Sequence, residues 1–117
     1  MQHQFEDLKV WQKAMDLAKQ IYKASQSFPK DEQYGLTSQL RRAVVSISCN
    51  IAEGKGRYHK KEYTQFLYIA RGSSYETISL IHLAHSLDYL SKKDSEDILK
   101  LLSEITAMLN GLIRSLQ

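Results

Sequence analysis

Five polar side chains recur at steps of three and four residues along one segment that otherwise reads as an apolar helix. They are Gln39, Arg42, Ser46, Asn50 and Glu53, called the polar seam below. Because the rest of this segment is apolar over most of its surface, we expect the seam to touch protein or a ligand rather than bulk water. We expect Asn50 and Glu53 to pair with the next helix, where Arg71 and Glu76 are the available charges. The seam is then either a satisfied polar network that fixes the register of the helices or a contact with a ligand or another subunit.

Positive charge and aromatic rings come together in the middle of the chain. The net charge is +3, but residues 36–72 carry +5, whereas residues 1–35 carry 0 and residues 73–117 carry −2. Cations beside rings suit RNA, because phosphates take the charges and unstacked bases stack on the rings. The rings are Tyr58 and His59, and the candidate phosphate contacts are Arg41, Arg42, Lys55, Arg57, Lys60 and Lys61, called the basic cluster below. An ordinary solvated surface is the alternative interpretation.

Enzymatic and metal chemistry finds no support in the residue pattern. No glutamate is followed three residues later by a histidine, which argues against the di-iron site of many helical proteins. No G-x-S-x-G motif or glycine-rich phosphate loop is present. We therefore expect a non-enzymatic protein without a cofactor. Cys49 is the single cysteine, so an intramolecular disulfide is excluded and we expect a cytoplasmic protein. No apolar run approaches the ~20 residues that a membrane-spanning helix needs, so we expect no membrane partner.

Hydrophobic spacing predicts four helices in a single domain over residues 1–117. The predicted ranges are 7–25, 37–53, 59 or 60 to 90, and 95–116. Thr37 or Ser38 is expected to cap the second helix, Gly54 to end it in the left-handed conformation, and Ser91 or Asp94 to cap the fourth. Because the connections are short, neighbouring helices are expected to be antiparallel, which predicts an all-α, up-down-up-down four-helix bundle.

Residues seven apart form an amphipathic stripe along the third predicted helix. They are Lys61, Tyr68, Tyr75, His82 and Tyr89. Tyrosine is enriched at interfaces, so the stripe is either the rim of the intramolecular core or a contact with another subunit. It also motivates an alternative function, a protein-interaction scaffold that docks a protein partner and has no direct role with nucleic acid.

Residues 35–57, GLTSQLRRAVVSISCNIAEGKGR, resemble the signature of the four-helix-bundle proteins encoded in intervening sequences of bacterial 23S ribosomal RNA genes. The segments FEDLKVWQKAMDLAKQIY at 5–22 and MLNGLIRSL at 108–116 are similar to that family too. The accessory variability protein of diversity-generating retroelements looks similar and shares the fold group. The matching positions mark family features without assigning roles, and they are Gln39, Arg41, Arg42, Asn50, Glu53, Gly54, Arg57 and Glu76.

The resemblance implies a small bundle that assembles into a ring-like homopentamer. In the retroelement relatives the assembly binds a reverse transcriptase and its RNA through basic surfaces. For this chain it therefore implies a homo-oligomer with an accessory role that involves RNA or another nucleic acid.

Overall fold

Four α-helices and two short 3-10 turns make up the computed structural model, which describes residues 4–117. The helices are α1 (Lys9–Ser25), α2 (Leu36–Lys55), α3 (Lys60–Ser86) and α4 (Lys92–Ser115), and the 3-10 turns are Gln4–Asp7 and Lys30–Glu32. No β-strand occurs within these residues. The prediction of an all-α chain with four helices is confirmed, and the helix ends lie within four residues of the predicted ones.

Each helix contributes one apolar stripe to a common core, and each packs against two of the other three. α1 and α3 both lie against α2 and α4. The fully buried large side chains come from all four helices and include Leu17, Ile21, Leu40, Ile47, Ile51, Leu67, Ile81, Leu102, Ile105 and Leu109. Burying a side chain of this size contributes about 1.5–3 kcal/mol, so these stripes are the main reason the four helices associate. Among residues 4–117, no helix has both the length and the apolarity needed to cross a membrane.

Gly54 allows α2 and α3 to approach closely. A Cβ atom at this position would lie 2.8 Å from the Cβ of Phe66 and 3.0 Å from Cδ1 of Tyr63. The prediction that Gly54 ends the helix in the left-handed conformation is wrong, because α2 continues to Lys55 and the following Gly56 has a φ of −77°. Packing space against α3, rather than backbone conformation, is therefore what requires glycine at position 54.

The start of α2 is held by a carboxylate from the preceding 3-10 turn. The Oε1 atom of Glu32 accepts a hydrogen bond from the backbone N–H of Leu36 at 3.1 Å. Its Oε2 atom accepts from the hydroxyl of Tyr89 at 3.0 Å. The predicted capping by Thr37 or Ser38 is wrong, because α2 begins one residue earlier, at Leu36. One side chain thus joins the start of α2 to the connection between α3 and α4.

The connection between α3 and α4 begins earlier than the sequence pattern predicts. α3 ends at Ser86, and Asp88 has a φ of 63°, a left-handed conformation that does not continue a helix. The chain then returns Leu90 to the core. The Oγ atom of Ser91 accepts a hydrogen bond from the backbone N–H of Asp94 at 3.0 Å, so the predicted cap of α4 is confirmed.

Candidate nucleic-acid interface

Four cations of the basic cluster surround the point where α2 ends and α3 begins. They are Lys55, Arg57, Lys60 and Lys61, called the basic junction below. Lys55 is the last residue of α2, Arg57 lies in the connection, and the two other lysines open α3. None of the four forms an ion pair with a carboxylate within the described residues. The start of α3 adds the positive end of a helix dipole, so the junction has a net positive field available to an external anion.

Two of these cations lie against aromatic rings of α3. The guanidinium carbon of Arg57 is 4.7 Å from the ring centre of Phe66, and Nζ of Lys55 is 5.7 Å from that of Tyr63. Such contacts orient a cation without neutralising it, so both charges stay available to a phosphate. Burial raises the pKa of the Tyr63 phenol, which therefore stays neutral at physiological pH and adds no negative charge here.

The connection also presents two rings to solvent. The side chain of Tyr58 is 93% exposed. His59 is exposed as well, and the two ring centres lie 4.9 Å apart with their planes at 87°. His59 stands at the N-cap position of α3 but makes no capping hydrogen bond. Both rings consequently lie among the cations of the basic junction without being part of the core.

Arg41 lies near the start of α2, away from the basic junction, and bonds to α1. Its Nε donates to Oγ of Ser25 at 2.9 Å, its Nη2 donates to the carbonyl of Tyr22 at 3.3 Å, and the guanidinium carbon lies 4.7 Å from the Tyr22 ring centre. Fourteen residues of helix separate it from Lys55, which is about 21 Å along the axis. The structure therefore does not bring Arg41 to the basic junction.

Arg42 also lies near the start of α2, where it is exposed. One residue of helix turns it about 100° away from Arg41. Contact of either arginine with nucleic acid stays a prediction.

The polar seam lies along the boundary between α2 and α3. The hydroxyls of Ser46 and Ser73 are 2.8 Å apart. The side-chain amide of Asn50 donates to the carbonyl and the hydroxyl of Ser46 at 2.8 and 3.0 Å. Gln39 donates to Oε2 of Glu76 at 3.5 Å, a long hydrogen bond near the other end of the boundary. The seam thus contains a partly satisfied network between the two helices.

The predicted pairing of Asn50 and Glu53 with Arg71 and Glu76 is wrong. Asn50 bonds within α2, and Glu53 is exposed with no hydrogen bond or ion pair to any residue from 4 to 117. Arg71 instead donates to Oδ1 of Asn110 on α4 at 2.9 Å. Two residues of helix correspond to a rotation of about 200°, so Arg71 cannot face α2 when Ser73 does.

Small residues in the middle of α3 allow it to lie between two neighbours. Ser73 meets α2 through Ser46, while the hydroxyl of Ser74 lies 2.6 Å from that of Thr106 on α4. A Cβ atom on Gly72 would meet nothing within 4 Å. The sequence signal for these contacts is the Gly72-Ser73-Ser74 run, whose small residues allow either the close approach of another helix or a slight bend. The run does not say which helix each residue meets.

The stripe on α3 divides into packed and open positions. The prediction that the stripe extends to Tyr89 is wrong, because α3 ends at Ser86 and Tyr89 lies in the connection to α4. There its hydroxyl donates to Glu32, and that hydrogen bond, followed by burial and the carboxylate charge, raises the pKa of its phenol. Tyr68 packs against the core, with the Arg71 guanidinium 5.1 Å from its ring centre. Tyr75 and His82 are exposed. The stripe is therefore a core rim at its packed positions and open surface at the others.

An apolar strip lies beside these open positions. Ile69 and Leu83 on α3, and Leu87 directly after its end, are each roughly half exposed. Val45 and Cys49 are exposed on the neighbouring α2. These five residues are called the outer apolar face below. No group of three or more histidine, cysteine or acidic side chains able to hold a metal ion occurs in the described part of the chain.

Comparison with known proteins places this geometry in a family. The sequence model of the 23S rRNA-intervening sequence protein family matches residues 6–111. A crystal structure of a protein with unknown function from the S23 ribosomal protein family of Bacteroides thetaiotaomicron VPI-5482 has the same fold, with a TM-score of 0.83 and 23% identity. The match covers 89% of this chain and 97% of that one. No curated protein matches the chain. Because the family model spans most of the sequence, the chain belongs to the 23S rRNA-intervening sequence protein family.

Proposed function

We propose that this protein is a non-enzymatic, homo-oligomeric accessory protein that binds RNA or another nucleic acid through the basic junction. The observation that carries the proposal is the set of four cations where α2 ends and α3 begins, none of which forms an ion pair with an acidic side chain among residues 4–117. Lys55, Arg57, Lys60 and Lys61 contact phosphates, and binding is driven largely by the release of counterions from the nucleic acid. The protein acts in the cytoplasm, consistent with its single cysteine, and needs no cofactor.

Salt dependence measures how many phosphates the protein contacts. Each phosphate contact contributes about −0.7 to −0.9 to the slope of log K against log salt. The four cations of the basic junction therefore predict a slope of about −2.8 to −3.6, whereas all six residues of the basic cluster predict about −4 to −5. In a fluorescence anisotropy titration with a structured RNA, raising salt from about 50 to 200 mM should weaken binding about 50- to 150-fold for four contacts. An affinity that does not change with salt would refute the proposal.

The start of α4 offers a matched control for the charges. Lys92 and Lys93 are the first two residues of α4, as Lys60 and Lys61 are of α3, but they pair with Glu96 and Asp97. The double variant Lys60→Ala/Lys61→Ala should weaken binding and reduce the slope by about 1.4 to 1.8. Lys92→Ala/Lys93→Ala removes the same charge and should leave the slope unchanged. Equal effects of the two variants would show that net charge, rather than the basic junction, governs binding.

We also propose that the helices form an antiparallel, up-down-up-down bundle. Its support is that Gly54, near the end of α2, meets Tyr63 near the start of α3, while Gln39 near the start of α2 reaches Glu76 farther along α3. Distances between spin labels on exposed helix ends test the arrangement. Labels at Ser38 and Leu87 should be close, whereas labels at Ser38 and Lys60 should be separated by most of the length of α2.

Assembly of several copies is the remaining part of the proposal. The outer apolar face supports it, because large apolar side chains that are exposed together commonly mark interaction sites. The family resemblance favours a pentamer. Light scattering after gel filtration should give five times the 13.5 kDa of one chain, whereas a monomeric mass at micromolar concentration would exclude assembly.

The same outer apolar face supports a second candidate function, a scaffold that docks a protein partner and has no direct role with nucleic acid. The exposure of Tyr75, on the same helix as Leu83, is the observation that favours it, since aromatic residues are enriched at protein interfaces. Capture from native lysate that returns only RNA would count against the scaffold.

A further inference from the structure

We propose that the basic junction selects unpaired nucleotides, with one base stacked on the exposed ring of Tyr58 and the neighbouring phosphates held by the cations on either side. The inference rests on the proposed function and specifies its ligand as a single-stranded segment of nucleic acid. A continuous duplex binds through its phosphates alone.

The exposure of Tyr58 is the first reason. Its side chain is 93% exposed and makes a ring contact only with His59 among the described residues. That contact is edge-to-face, with planes at 87°, so it leaves at least one face of each ring uncovered. An aromatic ring that contributes little to the core is available to stack on a base, and such stacking is tolerant of sequence because every base has a π-face.

The order of residues in the connection is the second reason. Arg57 directly precedes Tyr58, and Lys60 and Lys61 follow two and three residues later. At no more than about 3.6 Å of backbone per residue, all three cations start within about 11 Å of the ring-bearing residue, and their own side chains extend that reach. A strand with one base on Tyr58 therefore has cations within reach of the neighbouring phosphates.

Base stacking inside a duplex is the reason why the site should prefer single strands over duplexes. Bases inside a duplex stack on each other, so a base can reach the Tyr58 ring only after it leaves the stack, which costs free energy. In unpaired loops and single strands the bases are already free of the duplex stack, so no such free energy is needed. For this reason proteins that recognise RNA bases mostly bind these regions. Tyr58 should consequently contribute to binding of single strands and not of duplexes.

The test compares two probes and two variants of the full-length protein by fluorescence anisotropy. The probes are a labelled single-stranded 20-nucleotide RNA without self-complementarity and its perfectly paired duplex. The variants are Tyr58→Ala, which removes the ring, and Tyr58→Phe, which keeps it. Because Tyr58 lies outside the core, neither variant should change the melting temperature or the oligomeric mass.

We expect Tyr58→Ala to weaken single-strand binding about 5- to 150-fold, the range for one base–ring stack. The affinity for the duplex should stay within twofold of the parent value. The salt slope should equal that of the parent within error, because no charge changes. Tyr58→Phe should bind like the parent. As a positive control for phosphate contacts, Lys60→Ala/Lys61→Ala should weaken both probes.

The inference is overturned if Tyr58→Ala weakens binding of both probes alike or of neither. It is also overturned if the variant has a lower oligomeric mass, because the ring then serves a contact between protein subunits. Failure of the parent protein to bind either probe would instead remove the proposed function itself. A single-stranded DNA of the same sequence separates the two sources of unpaired bases. Equal loss on DNA assigns the site to single strands in general, and loss restricted to RNA assigns it to RNA.

Discussion

Gly54 and Gly72 form a matched pair of helical glycines whose replacement by alanine should have opposite effects on stability. Both lie inside helices, where alanine is favoured over glycine by about 1 kcal/mol. At Gly72 a Cβ atom meets nothing within 4 Å, so Gly72→Ala should gain roughly that amount. At Gly54 the new atom would lie 2.8 Å from Cβ of Phe66 and 3.2 Å from the carbonyl oxygen of Tyr63.

Neither of these two neighbours of Gly54 is the free end of a flexible side chain, so α2 and α3 must move apart. Overpacking of this kind costs about 1–3 kcal/mol. With atoms this close the cost should fall in the upper half of that range, which exceeds the helix-propensity gain of about 1 kcal/mol. Gly54→Ala should therefore lose about 1–2 kcal/mol, and the two variants should differ by about 2–3 kcal/mol.

Urea unfolding followed by circular dichroism measures both variants. All proteins should be compared at one subunit concentration, because assembly makes apparent stability depend on concentration. The oligomeric mass of Gly72→Ala must equal that of the parent for its free energy to be interpreted. If Gly54→Ala is as stable as Gly72→Ala, close approach of α3 is not what requires glycine at position 54.

Four further substitutions test other contacts. Glu32→Ala should lower the unfolding free energy by about 1–2 kcal/mol in urea titrations, because α2 loses its cap and Tyr89 loses its acceptor. The pKa of Tyr89 is raised in the folded protein, so its contribution to stability is present below the usual pKa of 10.0 and is lost as the pH rises through the folded value. Tyr89→Phe should therefore lose less stability than the parent as the pH is raised through and above 10.0. Arg41→Ala should lower the free energy of unfolding by about 1–2 kcal/mol, because the guanidinium of Arg41 bonds Ser25 and Tyr22. The same variant should leave the salt slope of RNA binding unchanged. A slope reduced by about 0.7–0.9 would instead assign Arg41 a phosphate contact. Leu83→Arg on the outer apolar face should reduce the mass measured by light scattering, and an unchanged mass would remove that face from the assembly.

The helices and the core were predictable because they depend on local spacing. Apolar residues three and four apart on each segment correctly indicate the four helices. Ser91 was predictable as a cap because its acceptor role depends only on the next three residues. The basic junction was partly predictable for the same reason, since its four cations lie within seven consecutive residues.

Contacts between distant residues were not predictable in this way. The cap on Leu36 comes from Glu32, whose side chain also meets Tyr89, 57 residues away in the sequence. Arg71 could have faced either neighbouring helix, and its contact with Asn110 depends on how α3 is rotated about its own axis. Charge counts alone could not show that Arg41 lies about 21 Å along α2 from Lys55 and is bonded to α1.

The sequence by itself determined the helical segments, their apolar stripes and the concentration of positive charge near residues 55–61. The tertiary structure decided which polar side chains meet across helices, why Gly54 has no room for a side chain, and which rings and cations remain open at the basic junction. The physical reason is that helical periodicity reflects interactions between residues three and four apart. Pairing across helices depends on the rotation and separation of packed helices, which arise only when the whole core assembles.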